Sequence, residues 1–248
     1  MLDRVTPVIL TRDEEPNIGR TLERLAWAAE VIVCDSGSSD ATLEIARRFP
    51  NVRVVERALD TLADQWTFAV DQAKSDWVLT LDADYIVPQA FVDEMSHLDA
   101  GADGYEASFI YAIDGRPLRA TLYTPRAVLL RRDRATFYMD GHTQRVRVDG
   151  RVVPLRERIV HDDRKSMRNF IARQRRYMRD EAAKLRTADP RTLNAAARVR
   201  RLRVVAPFVV VPYLLFAKGL VLDGRAGLRY VLERFIAEAI LSVALFRG

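Results

Sequence analysis

From Val5 onward, short apolar runs alternate with stretches whose apolar residues recur every third or fourth position. VTPVIL (Val5 to Leu10) reads as a strand, and TRDEEPNIGRTLERL then places Ile18, Leu22 and Leu25 on one helical face. EVIVCD (Glu30 to Asp35) is a second strand, followed by SGSSD, a turn and cap cluster, and the helical ATLEIARRF. NVRVVER (Asn51 to Arg57) predicts a third strand, Thr61 to Ala73 a helix, and Trp77 to Leu81 a fourth strand. Strands that alternate with helices pair in parallel. The pattern therefore predicts an α/β fold, a doubly wound and mostly parallel sheet flanked by helices.

Two further patterns occupy the C-terminal third. MRNFIARQRRYMRDEAAKL is helical, with Phe170, Ile171, Tyr177 and Met178 among many arginines. VVAPFVVVPYLLFA (Val204 to Ala217) is apolar throughout, contains Pro207 and Pro212, and is too short to span a bilayer. In GLRYVLERFIAEAILSVALF a helical wheel sets Arg229, Glu233, Arg234 and Glu238 opposite Leu232, Phe235, Ile236 and Ala239. The expected organisation is an α/β domain over residues 1–165 and a basic, amphipathic helical region over 166–248.

Charge sharpens this division. Residues 156–203 hold 16 Lys/Arg against 6 Asp/Glu, a local excess of +10 in a chain of net charge +5. The basic stretch suits an anionic partner: phosphates, nucleic acid or a lipid surface. Nucleic acid is disfavoured, because no recognised binding module or aromatic stacking platform accompanies the arginines. The tail would suit the plane of an anionic membrane, with packing on the domain or a dimer interface as the plainer alternatives. The lone Cys34 lies in an apolar run and suits a buried position. With an N-terminus unlike a signal peptide, it favours the cytoplasm, peripheral to the inner face of the plasma membrane.

Doubly wound sheets bind ligands at the carboxyl ends of their strands, and the polar residues cluster there. Thr11 to Glu14 follow the first strand, Asp35 ends the second, and Asp82 and Asp84 follow the fourth in WVLTLDADYIV. A D-x-D alone is weak evidence. At a strand end, two carboxylates around one spacer offer oxygen ligands for Mg²⁺ or Mn²⁺, which commonly share themselves with substrate phosphates. Such an ion would offset charge on a diphosphate leaving group. The plainer alternative is that the pair caps the helix expected near Pro88. Asp35 suits hydrogen bonds from a nucleobase or ribose, although DSGSSD is also ordinary turn chemistry. The absence of a G-x-G-x-x-G or Walker loop argues against a dinucleotide cofactor or an ATP cradle.

ILTRDEEPNIGRTLERL, VIVCDSGSSDAT and WVLTLDAD, in that order, resemble the family 2 inverting glycosyltransferases of GT-A fold. The likeness is greatest to bacterial lipopolysaccharide-core β-glucosyltransferases. The resemblance implies a nucleotide-sugar donor, a UDP-sugar, and a membrane-associated glycan or lipid acceptor, with Mg²⁺ or Mn²⁺ as cofactor. It assigns Thr11, Glu14, Asp35, Gln65, Asp82 and Arg126 to the donor, and Asp82, Asp84 and His161 to the metal. For His161 an ordinary half-buried histidine is an equal alternative.

Two departures stand out. DQWTF carries Trp66 and Thr67 where the family has a basic residue and Asn, and MDGHTQRV carries Gln144 where the subgroup has a His-Glu pair. An amide cannot accept the proton of a hydroxyl at neutral pH. Asp140 is then the candidate base, unless the acceptor is already an anion such as a polyprenyl phosphate. A catalytically degenerate nucleotide- or lipid-binding relative and a nucleotidyltransferase are the other readings; against the latter, no Gly-rich, Lys-containing loop follows the first strand.

Overall fold

The computed structural model describes residues 1–246 other than Leu59, Ala100, Gly141 and His142. The chain divides into two compact units. The first comprises residues 1–112, 122–139 and 144–164; the second comprises 113–121, 140–143 and 165–248. The segments 113–121 and 140–143 thus fall outside the division expected at residue 165.

The first unit begins with the alternation read from the sequence: β1 (Val5–Thr11), α1 (Ile18–Glu23), β2 (Val31–Asp35), α2 (Thr42–Ala46), β3 (Val52–Glu56), α3 (Leu62–Asp71) and β4 (Trp77–Asp82). β5 (Tyr85–Ile86), α4 (Gln89–Ser96) and β6 (Gly104–Ile113) follow. β7 (Arg116–Pro117) belongs to the second unit's segment. β8 (Arg126–Arg131), β9 (Ala135–Asp140), β10 (Thr143–Val148) and β11 (Val152–His161) complete the strands.

The main sheet runs β3-β2-β1-β4-β8-β6-β11-β5, and β9 with β10 forms a separate ribbon. Pairing is parallel from β3 to β4 and between β6 and β11. It is antiparallel where β8 enters between β4 and β6, and where β5 pairs with β11. The sheet is thus mixed. Its parallel half has helical crossovers; β8 follows β6 without a helix between them, so it returns antiparallel.

β1, β2 and β4 are buried on both faces, which explains their near-continuous apolar sequences. One face packs Ile9, Leu79 and Leu81 against Ile18, Leu22 and Phe91. The other packs Val8, Ile32, Cys34 and Val78 against Trp66 and Val70. α3 starts at an N-cap in which Thr61 accepts from the Asp64 backbone N–H at 3.1 Å and donates its hydroxyl to the Asp64 carboxylate at 2.6 Å.

The second unit holds α5 (Met167–Thr187), α6 (Ala195–Arg201), α7 (Val205–Pro212) and α8 (Gly224–Phe246). Its small core joins Ala182 and Leu185 of α5 to Leu241 and Leu245 of α8. The apolar run from Val204 does not stay one helix. Past Pro212 it opens into a π-helical turn over Tyr213–Ala217, and a 3₁₀ turn at Leu220–Asp223 precedes α8. Gly227 lets that turn approach, since a Cβ there would sit 2.0 Å from the Leu220 carbonyl oxygen.

α8 buries two carboxylates beside an apolar row of Tyr230, Val231, Ala237, Leu241 and Leu245. Glu233 and Glu238 are buried, with Glu238 paired to Arg200 and Glu233 to Arg229 at 3.3 Å. Leu228 and Leu232 face outward, about half exposed. Phe208, Phe216 and Leu222 are 67%, 72% and 70% exposed. Among the described residues no single helix is long and apolar enough to cross a membrane. The pair Val205–Ala217 and Leu220–Phe246, bent by 75°, has the length and composition to do so together.

Candidate functional site

The buried strand β4 ends at Asp82, and β5 begins at Tyr85, so Asp82, Ala83 and Asp84 form a tight link at the carboxyl edge of the sheet. Two hydrogen bonds fix its backbone. Thr21 of α1, fully buried, donates to the Ala83 carbonyl at 2.6 Å, and the Asp162 N–H donates to the Asp84 carbonyl at 3.0 Å.

The antiparallel register of β5 and β11 sets His161 opposite Tyr85. His161 Nε2 thereby meets Asp84 Oδ2 at 3.1 Å, with both side chains only 13–14% exposed. Tyr85, Tyr111 and Tyr123 surround the imidazole with ring centroids 4.7–5.4 Å away. Burial opposes protonation of His161, but the charge and hydrogen bond of Asp84, with Asp82 behind them, outweigh it and push its pKa up. The other two atoms of the pair, Asp84 Oδ1 and His161 Nδ1, are buried without a hydrogen-bond partner among the described residues.

Arg126, at the start of β8, stacks its guanidinium over the Tyr123 ring at 4.6 Å and faces the Asp82 carboxylate at 3.9 Å. Tyr123 and Tyr85 share a hydrogen bond of 2.5 Å between their hydroxyls. Burial pushes both phenols above their ordinary range, so they act as neutral hydrogen-bonding groups. Asp84, His161 and Arg126 therefore converge with Asp82 near one strand edge. Asp82 itself does not join a ligand cage with the other two. Among the described residues no three His, Cys, Asp or Glu side chains are gathered closely enough to hold an ion alone.

The remaining predicted residues lie elsewhere. Asp35 is fully buried, and its carboxylate accepts four hydrogen bonds: from the hydroxyls of Thr11 (2.7 Å) and Ser38 (2.5 Å) and from the N–H groups of Gly37 (2.8 Å) and Ser38 (2.7 Å). That fills the sites a carboxylate offers, and in this arrangement Asp35 is the turn residue the sequence also allowed. Glu14 accepts from Asn17 Nδ2 at 2.9 Å. Gln65 is 2% exposed and points inward, its amide 4.0 Å from the Cys34 sulfur. Asp140 belongs to the second unit, where Lys184 of α5 donates to it at 2.5 Å.

The sequence did not reveal the buried hub at Asn17. Its amide donates to Asp163 at 3.1 Å, and its carbonyl oxygen accepts from the Arg164 N–H at 2.9 Å and from Arg20 at 2.8 Å. Arg20 also binds the Asp162 carboxylate at 2.9 Å and its carbonyl at 2.8 Å. α1 thus holds both the Asp-Ala-Asp link and the segment after His161.

Beside Asp82 opens a cavity of about 330 Å³. Thr80, Asp82, Tyr85, Glu106 and Arg126 contribute to one side, and Trp66, Phe137, Gln144 and Val146 line it further. Trp66 and Phe137 stack there at 5.9 Å and 16°. The space matches one small ring system, and its lining mixes aromatic faces with a few polar groups, as ligand pockets do.

The family model described as Glycosyl transferase family 2 matches residues 7–157. The chain is 31% identical over 100 residues to an uncharacterized glycosyltransferase of Rickettsia typhi, covering 40% of this chain and 34% of that one. It is 28% identical over 130 residues to the lipopolysaccharide core biosynthesis glycosyltransferase LpsC of Rhizobium meliloti, covering 50% and 47%. The chain therefore aligns with less than half the length of either relative. Among solved structures, that of S. aureus TarS 1–349 in complex with UDP-GlcNAc superposes with a TM-score of 0.52 at 15% identity, over 98% of this chain and 91% of that one. That likeness is one of fold.

Proposed function

Because the chain belongs to glycosyl transferase family 2, we propose that it moves a sugar from a UDP-sugar to a membrane-associated glycolipid or lipopolysaccharide-type acceptor with inversion at the anomeric carbon. The observation that carries this reading is the buried Asp84–His161 pair, in which one carboxylate oxygen and one imidazole nitrogen have no hydrogen-bond partner among the described residues. A buried carboxylate oxygen without a donor is costly, and a divalent cation relieves it. Asp84 and His161 would hold that ion, with donor phosphate oxygens completing its shell. The imidazole is a softer ligand than Mg²⁺ prefers, which favours Mn²⁺ of the two. When bound, the ion supplies Lewis-acid offset of the charge on the departing diphosphate.

The chain's own residues do the rest. Arg126, fixed by Tyr123 and Asp82, offers a cation toward the diphosphate. Thr11, Glu14 and Asp35 knit the loops after β1 and β2 into one rigid rim that would carry the nucleotide. Tyr85 and Tyr123, neutral and buried, exclude water from the imidazole.

The acceptor class is supported by the relative LpsC and by the second unit. The exposed Phe208, Phe216, Leu222, Leu228 and Leu232 suit an apolar surrounding better than water, and this favours a peripheral site on the inner membrane face. The test is calorimetric titration of UDP and GDP, with Mn²⁺ or with EDTA, into the protein and into Asp84→Ala. Metal-dependent binding of UDP alone, lost in Asp84→Ala, is expected; UDP affinity indifferent to both metal and substitution refutes the proposal.

A further inference from the structure

We propose that Glu106 is the proton acceptor of the transfer, an assignment that rests on the glycosyl-transfer reading above. Glu106 lies on β6, where it pairs with Ala127 of β8 on one side and Pro154 of β11 on the other. Its side chain enters the same cavity as Asp82, Arg126 and Gln144. Apart from Asp82 it is the one carboxylate among the described lining residues. Asp82 faces Arg126 and adjoins the metal pair; Gln144 cannot take a proton.

Glu106 is half-buried, and its carboxylate makes no hydrogen bond or ion pair with any described residue, including the cavity's two arginines. A carboxylate that lines a cavity with its acceptor sites open can take a hydrogen bond from a ligand's hydroxyl. Its position fits that use. β4, β8 and β6 are adjacent strands, so the backbones bearing Asp82 and Glu106 are about 10 Å apart at the usual strand spacing. That span accommodates an acceptor oxygen and an anomeric carbon in line between a base and a departing diphosphate. Asp140, the candidate base from sequence, is instead held by Lys184.

In the proposed step the acceptor O–H bond breaks and its proton passes to a Glu106 carboxylate oxygen. The freed electron pair forms the new C–O bond at the anomeric carbon. The bond from that carbon to the diphosphate oxygen breaks, and its electron pair leaves with UDP. Water in the acceptor's place reacts by the same route, giving free sugar and UDP.

The experiment measures UDP release from UDP-glucose, UDP-galactose and UDP-N-acetylglucosamine, with Mn²⁺ and water as acceptor, for the parent chain, Glu106→Gln, Glu106→Asp and Asp140→Asn. Calorimetry of Mn²⁺ and UDP runs alongside. The expected result is a 10²- to 10⁴-fold loss in Glu106→Gln, with UDP affinity within twofold of the parent. Glu106→Asp retains part of the rate, Asp140→Asn stays within threefold, and the acid limb of the pH–rate profile flattens in Glu106→Gln. A parent protein that binds UDP but releases it no faster than Glu106→Gln overturns the assignment, as does a loss confined to Asp140→Asn. Failure of the parent to bind UDP with Mn²⁺ would instead refute the glycosyl-transfer reading beneath it.

Discussion

Replacing Phe208, Phe216 and Leu222 together by serine separates a membrane-facing surface from an ordinary packed one. The three side chains are 67%, 72% and 70% exposed, so about seven-tenths of each remains to be taken out of water by a partner. Full burial of such a side chain is worth about 1.5–3 kcal/mol, so the three together supply roughly 3–6 kcal/mol to an apolar environment. At about 1.4 kcal/mol per decade, their loss weakens partitioning roughly 10²- to 10⁴-fold. In water the same atoms contribute little, and the triple variant should unfold within a degree or two of the parent. The assay is co-sedimentation with vesicles of phosphatidylethanolamine and phosphatidylglycerol, with phosphatidylcholine vesicles as the neutral comparison. Lys218 beside Tyr213 and Arg203 beside Phe246 place cations near the apolar residues, so binding should favour the anionic vesicles and weaken with salt. Unchanged vesicle binding in the triple variant would refute the reasoning. So would a large fall in melting temperature, which would mean these side chains pack inside the fold.

Three further outcomes follow from particular contacts. Thr21→Val keeps the side-chain shape but strands the buried Ala83 carbonyl, costing about 1–3 kcal/mol in denaturant unfolding and weakening Mn²⁺–UDP binding through the loosened Asp-Ala-Asp link. Gly227→Ala forces a methyl to 2.0 Å from the Leu220 oxygen, so α8 and the preceding turn must part, and thermal unfolding should report a loss of about 1–3 kcal/mol or more. Because Asp84 raises the pKa of His161, a metal held there as proposed would compete with a proton; Mn²⁺ uptake with UDP near pH 7 should then release protons, seen as a dependence of the calorimetric heat on buffer ionisation, and affinity should fall as pH drops.

The parallel half of the sheet was legible because buried strands and amphipathic helices have distinct periods. The Asp-Ala-Asp link stood out because it interrupts one of the most apolar strands. Beyond Ser96 that contrast fades. β6, β8 and β11 pair without intervening helices, and their alternation is broken by bulges at Tyr105/Glu106 and between Pro154 and Arg158. Partners brought together there are distant in sequence: His161 meets Asp84 across 77 residues. Glu106 was invisible because no local motif surrounds it; only strand order puts it in a cavity with Asp82. Motif likeness placed Asp35 and Gln65 at the donor, yet it could not show that one carboxylate is consumed by its own turn and that the other side chain points at Cys34. The wheel of α8 divided charged from apolar residues correctly, but a wheel has no inside. Burial supplies the sign: Glu233 and Glu238 point inward beside Tyr230, Leu241 and Leu245, and Leu228 and Leu232 are the apolar residues left outward. Those outward leucines, with the exposed Phe208, Phe216 and Leu222, are what argue for a lipid surface.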